Sequence, residues 1–193
     1  LENHYEIQPG SPEQRRRVEN LLSGLEEVDA ATGERVVTAW VTSWLNSPYS
    51  DLSEAPYGPL APDYPLMDHV REVLQFGLVL ASEAAEKWNQ TCGADTLVPI
   101  LLLHDVDKPL MYVRTENGVQ PSPLASTLPH GVVGSMIVHD LGFEQKVVNT
   151  VATHSGNSPF HGVQFEDFIL HYADMFTSDR AILAAGGKPY YQK

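Results

Sequence analysis

Seven consecutive apolar residues, Leu97-Val98-Pro99-Ile100-Leu101-Leu102-Leu103, run directly into the pair His104-Asp105. A run with no polar alternation belongs in a protein interior, and its length suits either a buried strand or a buried helix. In both cases it carries two ionisable side chains inward. An unpaired buried charge costs several kcal/mol, so such groups are neutralised by partners or by a bound cation. The chain must therefore fold so that other polar groups meet this pair.

The surrounding sequence is mostly helical in pattern. Residues 12–29 place Val18, Leu21, Leu22 and Leu25 at helical spacing behind Ser11 and Pro12, an N-cap and a first-turn proline. A second helical stretch runs from about 33 to 45. Residues 46–65 collect prolines and tyrosines around Gly58 and read as a loop, with covering a site and forming an interface both open to residues 1–65. Residues 66–88 carry Val70, Val73, Leu74, Leu78 and Ala81 along one face, a long helix with His69 near its start. The best β signal is LMYVRTENGVQ, a small hairpin near 110–120 turning at Asn117-Gly118. Helical stretches at roughly 127–140, 143–153 and 163–185 complete the chain. The expected fold class is all-α, a helical bundle in one domain over 1–193.

Histidines recur on separate predicted helices. His69 lies 35 residues before His104, His130 lies 26 after it and His154 a further 24 on; Asp174 follows 20 residues later. An antiparallel bundle brings side chains from several helices to one interior point. Cys92 is the single cysteine, so no intramolecular disulfide forms and thiolates cannot build a metal site. Imidazole with carboxylate suits Fe, Mn, Zn, Co or Ni better than Ca. One histidine alone is more often a core or surface residue than a ligand; six groups in this order reverse that reading.

Charge narrows the partners. With 25 acidic against 12 basic residues the formal net charge is −13, and no basic cluster is dense enough to track a nucleic-acid backbone. Arg15-Arg16-Arg17 sits among Glu13, Glu19, Glu26 and Glu27 and reads as a solvated, salt-bridged face. A small anionic substrate is compatible with this balance, because bound divalent cations invert the local potential. No run approaches the roughly 18 apolar residues of a membrane span, and LENHYEIQPG has no signal-peptide pattern. A cytoplasmic protein is expected.

These residues resemble the HD superfamily of metal-dependent phosphohydrolases, whose pattern is H…HD…D, with two further histidines in its two-metal members. The resemblance runs from His69 to Arg180 and includes DHVREV, HDVDK, PHGVVGS, THSGN and HYADMFTSDR. HG-x-x-G at His130, TH-x-G at His154 and AD-x5-R ending at Arg180 look most like the bacterial hydrolases that cut diadenosine tetraphosphate symmetrically. One departure stands out: HDVDK has Asp107 where the usual HDIGK has glycine.

The resemblance implies a core over about 66–185, with helices and a Pro-rich loop in 1–65, and a helical 95–105. It implies that His69, His104, Asp105 and Asp174 hold one metal, while Asp105 bridges to a second held by His130 and His154. Two divalent or mixed-valence ions, Fe or Mn foremost, would sit roughly 3.5–4 Å apart and share a hydroxide that attacks phosphorus. Asp105 and Lys108 are the implied catalytic residues, with Lys108 neutralising a phosphate oxygen. Ser155, Asn157 and Arg180 join Lys108 as expected substrate contacts. Local alternatives are a solvated Lys108, an Arg180 paired with Asp179 or Glu166, and Tyr49, Tyr57 and Tyr64 anchoring their loop by packing. His139, His161 and His171 fit no ligand slot.

The same six ligands also resemble those of HD-type mixed-valence di-iron oxygenases acting on small polar substrates. Hydrolysis needs only Lewis acidity, whereas oxygenation needs a redox-active metal. A sensor that has lost catalysis is the third reading, and the complete ligand set argues against it.

Overall fold

Leu97–Leu103, the apolar run, forms the last seven residues of helix α4 (Ala94–Leu103), and all seven are buried. Each buried leucine contributes about 1.5–3 kcal/mol relative to an exposed one. In this computed structural model, which describes residues 4–192, α4 packs against α2 (Ala30–Leu45), α3 (Leu66–Trp88), α7 (Gln145–Thr153) and α8 (Phe165–Ala184). Leu1–Asn3 and Lys193, at the two ends of the expected 1–193 domain, lie outside the described residues. One buried apolar cluster runs from Val18 to Ala173.

The end of α4 is held in place by its neighbours. Trp40 on α2 donates its indole N–H to the Leu102 carbonyl at 3.0 Å, satisfying a last-turn acceptor that has no partner within the helix. Gly77 on α3 lets Leu101 approach: a Cβ there would stand 2.5 Å from a Leu101 methyl. The tight α3–α4 contact brings His69 and His104 to the same level.

The fold is all-α with two small antiparallel strand pairs. Helix α1 (Pro12–Leu21) starts on a capping box between Ser11 and Gln14 but ends earlier than the expected 29. Leu22 is extended, Gly24 takes φ 79°, and only a 3-10 turn, Leu25–Glu27, follows. Helix α2 begins at Ala30, where Asp29 caps the Thr32 N–H. Residues 46–65 are not loop throughout: after a 3-10 turn, Leu52–Glu54, strands β1 (Pro56–Gly58) and β2 (Ala61–Pro65) pair.

Helix α3 has the expected bounds. The helix α5 (Lys108–Met111) follows α4 after a short turn, and β3 (Tyr112–Thr115) pairs with β4 (Gly118–Pro121) in the expected hairpin. Its two turn residues are Glu116 and Asn117, one position before the expected pair, with Gly118 opening β4 at φ 91°. Helix α6 starts at Val132 and runs to Asp140, later than the expected 127, because Pro129 and a left-handed Gly131 precede it. No described helix is long and apolar enough to cross a membrane.

Candidate metal centre

Asp105 sits in the turn after α4, 1 % exposed, and four imidazoles converge on its carboxylate. His69, one turn into α3, places Nε2 3.1 Å from Asp105 Oδ2; His104, the C-cap of α4, places Nε2 3.3 Å from the same oxygen. His154, the C-cap of α7, places Nε2 3.5 Å from Oδ1, and His130 places Nε2 2.9 Å from Oδ1. His130 stands in the turn ahead of α6 rather than on a helix as expected. Asp174 on α8 closes the first group, its Oδ1 3.3 Å from His69 Nε2. The two carboxylate oxygens of Asp105 thus face two separate pairs of histidines.

Hydrogen bonds on the far side of each ring decide which nitrogen carries the proton. His104 Nδ1 donates to the Leu101 carbonyl at 2.9 Å and His154 Nδ1 to the Val151 carbonyl at 2.8 Å; a carbonyl only accepts. Thr177 Oγ1 donates to the Asp174 carbonyl and therefore accepts from His69 Nδ1 at 3.2 Å. His130 Nδ1 donates to Asp107 Oδ1 at 2.7 Å. With each Nδ1 proton so placed, a neutral ring turns its Nε2 lone pair inward.

Lone pairs then face lone pairs. His69 Nε2 and His104 Nε2 are 3.2 Å apart, and the surrounding Asp105 and Asp174 oxygens are acceptors as well. Asp105 Oδ2 has Lys108 Nζ beside it as an ion pair at 2.7 Å and otherwise faces the Nε2 atoms of His69 and His104. Such an arrangement of buried acceptors calls for cations between them. Among the described residues two sets have the spacing to hold a metal ion, His69 with His104 and Asp105, and Asp105 with His130 and His154.

Without metal ions the same groups share protons instead. Burial raises the Asp105 carboxyl, but Lys108 and His104 outweigh it and hold the group well below the usual range. Burial likewise opposes ionisation of Asp174, which His69 and His104 still keep low. His130 loses solvation yet is pushed up to about 10 by Asp107 and Asp105, whereas burial depresses His154. The carboxylates of the site thus attract positive charge, as protons or as metal ions.

Lys108 is buried, not solvated, and its Nζ also lies 3.7 Å from the centroid of the Tyr57 ring. Tyr57 donates to Ser178 Oγ at 2.7 Å, and Ser178 donates to Asp174 Oδ1 at 2.9 Å. The Pro-rich segment therefore covers the site, with Tyr57 to Leu60 on the wall of a cavity of about 100 Å³ that also exposes Asp105, Lys108, His130 and His154. Ser155 and Asn157 line that cavity too. Arg180 does not: it pairs with Glu72 at 2.9 Å and covers the Tyr64 ring.

Tyr57, Asp107, Thr177 and Ser178 were not among the site residues read from the sequence. Asp107 carried a signal as the departure within HDVDK, and Tyr57 one as a tyrosine of the Pro-rich loop; Thr177 and Ser178 carried none, though Ser178 lies one helical turn beyond Asp174.

No family model matches the chain, and no solved structure matches it. Dihydroneopterin 2',3'-cyclic phosphate phosphodiesterase of Methanocaldococcus jannaschii is 30% identical over 110 residues, which are 56% of this chain and 44% of that relative. The chain thus matches less than half the length of this curated relative.

Proposed function

We propose that this chain is a metal-dependent phosphohydrolase of the HD superfamily, cleaving a phosphate ester or anhydride of a small, anionic molecule such as a nucleotide. The observation that carries the reading is the convergence of four inward-facing Nε2 atoms and two carboxylates on a buried point, each histidine oriented by its own Nδ1 partner. His69, His104, Asp105 and Asp174 would hold one ion, and Asp105, His130 and His154 the other; the donor set suits Fe or Mn. The similarity to a phosphodiesterase supports hydrolysis at phosphorus. In this reading residues 66–185 form the catalytic core and 1–65 pack onto it as part of one domain.

When bound, such ions act as Lewis acids on phosphate and on the attacking water. The protein's own groups do the rest. Lys108 sets a fixed cation at the cavity wall, where it meets a non-bridging phosphate oxygen, and Tyr57 covers its face and excludes water. Ser155 and Asn157 offer hydrogen bonds at the mouth. The cavity has room for a phosphate group, and Gly156, Asn157, Met175 and Tyr190 join it to a groove of about 900 Å³ lined by Phe76, Val79 and Phe176. The organic part of the substrate extends into that groove.

Asp105→Ala tests the assignment. The variant is expected to lose bound metal and all phosphate release while remaining folded. Full metal content and turnover in Asp105→Ala would reject the site.

A further inference from the structure

Asp107 is completely buried and has three hydrogen-bond donors, all from the segment around His130. Oδ2 accepts the backbone N–H of Gly131 at 2.7 Å and that of Gly134 at 3.3 Å; Oδ1 accepts His130 Nδ1 at 2.7 Å. The backbone donors belong to the N-terminal end of α6, where a carboxylate is favoured by the helix dipole and by amides with no helical acceptor. They anchor one oxygen and thereby aim the other at the imidazole. Close approach is built in at the second of these donors, since a Cβ at Gly134 would stand 3.3 Å from both Val106 and Val151 and 3.5 Å from Asp107 Cγ.

His130 needs such an anchor more than the other histidines do. It is not on a helix, and it lies in the turn between Pro129 and the left-handed Gly131. His104 and His154 are oriented by carbonyls of their own helices, three residues back. His130 is oriented by a charged group 23 residues away in sequence. A carboxylate behind an imidazole fixes its tautomer and makes the far nitrogen a stronger ligand. A glycine in this place, as in HDIGK, offers no such group.

We infer that Asp107 is a positioning residue that builds the His130/His154 half of the centre, by fixing the tautomer and direction of His130, and leaves the His69/His104/Asp174 half untouched. This rests on the metal-centre reading above. Asp107, standing where HDIGK has glycine, thus makes the second metal position of this chain tighter than a glycine there would.

The test is calorimetric titration of metal-free protein with Zn2+ at neutral pH, on wild type, Asp107→Asn, His154→Ala and the double variant, with folding checked by circular dichroism. Asp107→Asn is expected to weaken one Zn2+ about 10–100-fold and to leave the other nearly unchanged. It should add little to the loss already caused by His154→Ala, because both act on the same position. Equal weakening of both ions, or of neither, overturns the proposal. A wild type that binds fewer than two Zn2+ overturns the metal-centre reading itself, and this inference with it.

A second measurement needs no variant. In the Zn2+-loaded wild type, nitrogen-15 spectra of the histidine side chains should show His130 with a strongly hydrogen-bonded, exchange-protected proton on Nδ1. A His130 protonated at Nε2 overturns the proposal.

Discussion

His69 Nε2 and His104 Nε2 stand 3.2 Å apart in the interior, with the proton of each ring held on Nδ1 by Thr177 and by the Leu101 carbonyl. Two acceptors at that distance repel unless a cation or a proton lies between them. Removing metal by chelation should therefore lower the thermal midpoint, and restoring Zn2+ or Mn2+ should raise it. A ligand about a thousandfold above its Kd adds about 4 kcal/mol to stability. Melting curves with and without metal check this, and His104→Ala, which removes a ligand of one position only, should reduce the response.

Lys108 makes contact with Asp105 and Tyr57 but stands outside the imidazole set. Lys108→Met keeps the stem and removes the charge. Metal content should stay near that of the wild type, while kcat falls about 10²–10³-fold, the loss seen when one preorganised transition-state donor is removed. Metal analysis beside steady-state kinetics separates the two effects; loss of metal in this variant would make Lys108 a structural residue.

Gly131 has φ 92°, and a Cβ there would stand 2.8 Å from the Val151 carbonyl oxygen. Gly131→Ala should cost at least about 1–2 kcal/mol from the backbone conformation alone, with the contact adding to it. Urea denaturation measures the loss, and an unchanged midpoint would contradict this placement of the His130 turn.

Asp51 receives two bonds from Arg17, at 2.7 and 2.9 Å, tying α1 to the segment ahead of β1. Arg17 and Ser53 hold its carboxyl below the usual range. A depressed folded value means that the contribution is present above the unfolded pKa of about 3.9 and is lost as pH falls toward the folded one. Asp51→Asn should thus be less stable than wild type at neutral pH, by a gap that closes progressively below about pH 4. A gap that stays constant down to about pH 2 would contradict the pairing.

Much of the helical frame was legible. Residues 66–88 carried a continuous apolar stripe, and α3 has those bounds, with Pro65 at its N-cap and a left-handed Asn89 at its C-cap. Pattern alone could not assign α4 because every face of its second half is buried, which removes the periodicity that separates helix from strand. The β1–β2 pair was illegible for a different reason: strands of three and five residues with proline at their ends carry no alternation.

The six residues read as ligands lie together, but what orients them was hidden. Tyr57 reaches Asp174 through Ser178, 121 residues away, and Asp107 meets donors 23, 24 and 27 residues away. No local spacing encodes such partners; they exist only once α6 and α8 have docked. Arg180, placed by its motif beside the substrate, is paired with Glu72 in the folded chain.

The most direct measurement is metal analysis of protein purified without chelators, joined to a phosphate-release screen over nucleotides, cyclic phosphates and simple esters, run with and without oxygen. Near two metals per chain and phosphate release independent of oxygen is the predicted result. Two irons with oxygen uptake and no phosphate release would contradict it and transfer the chain to the oxygenases.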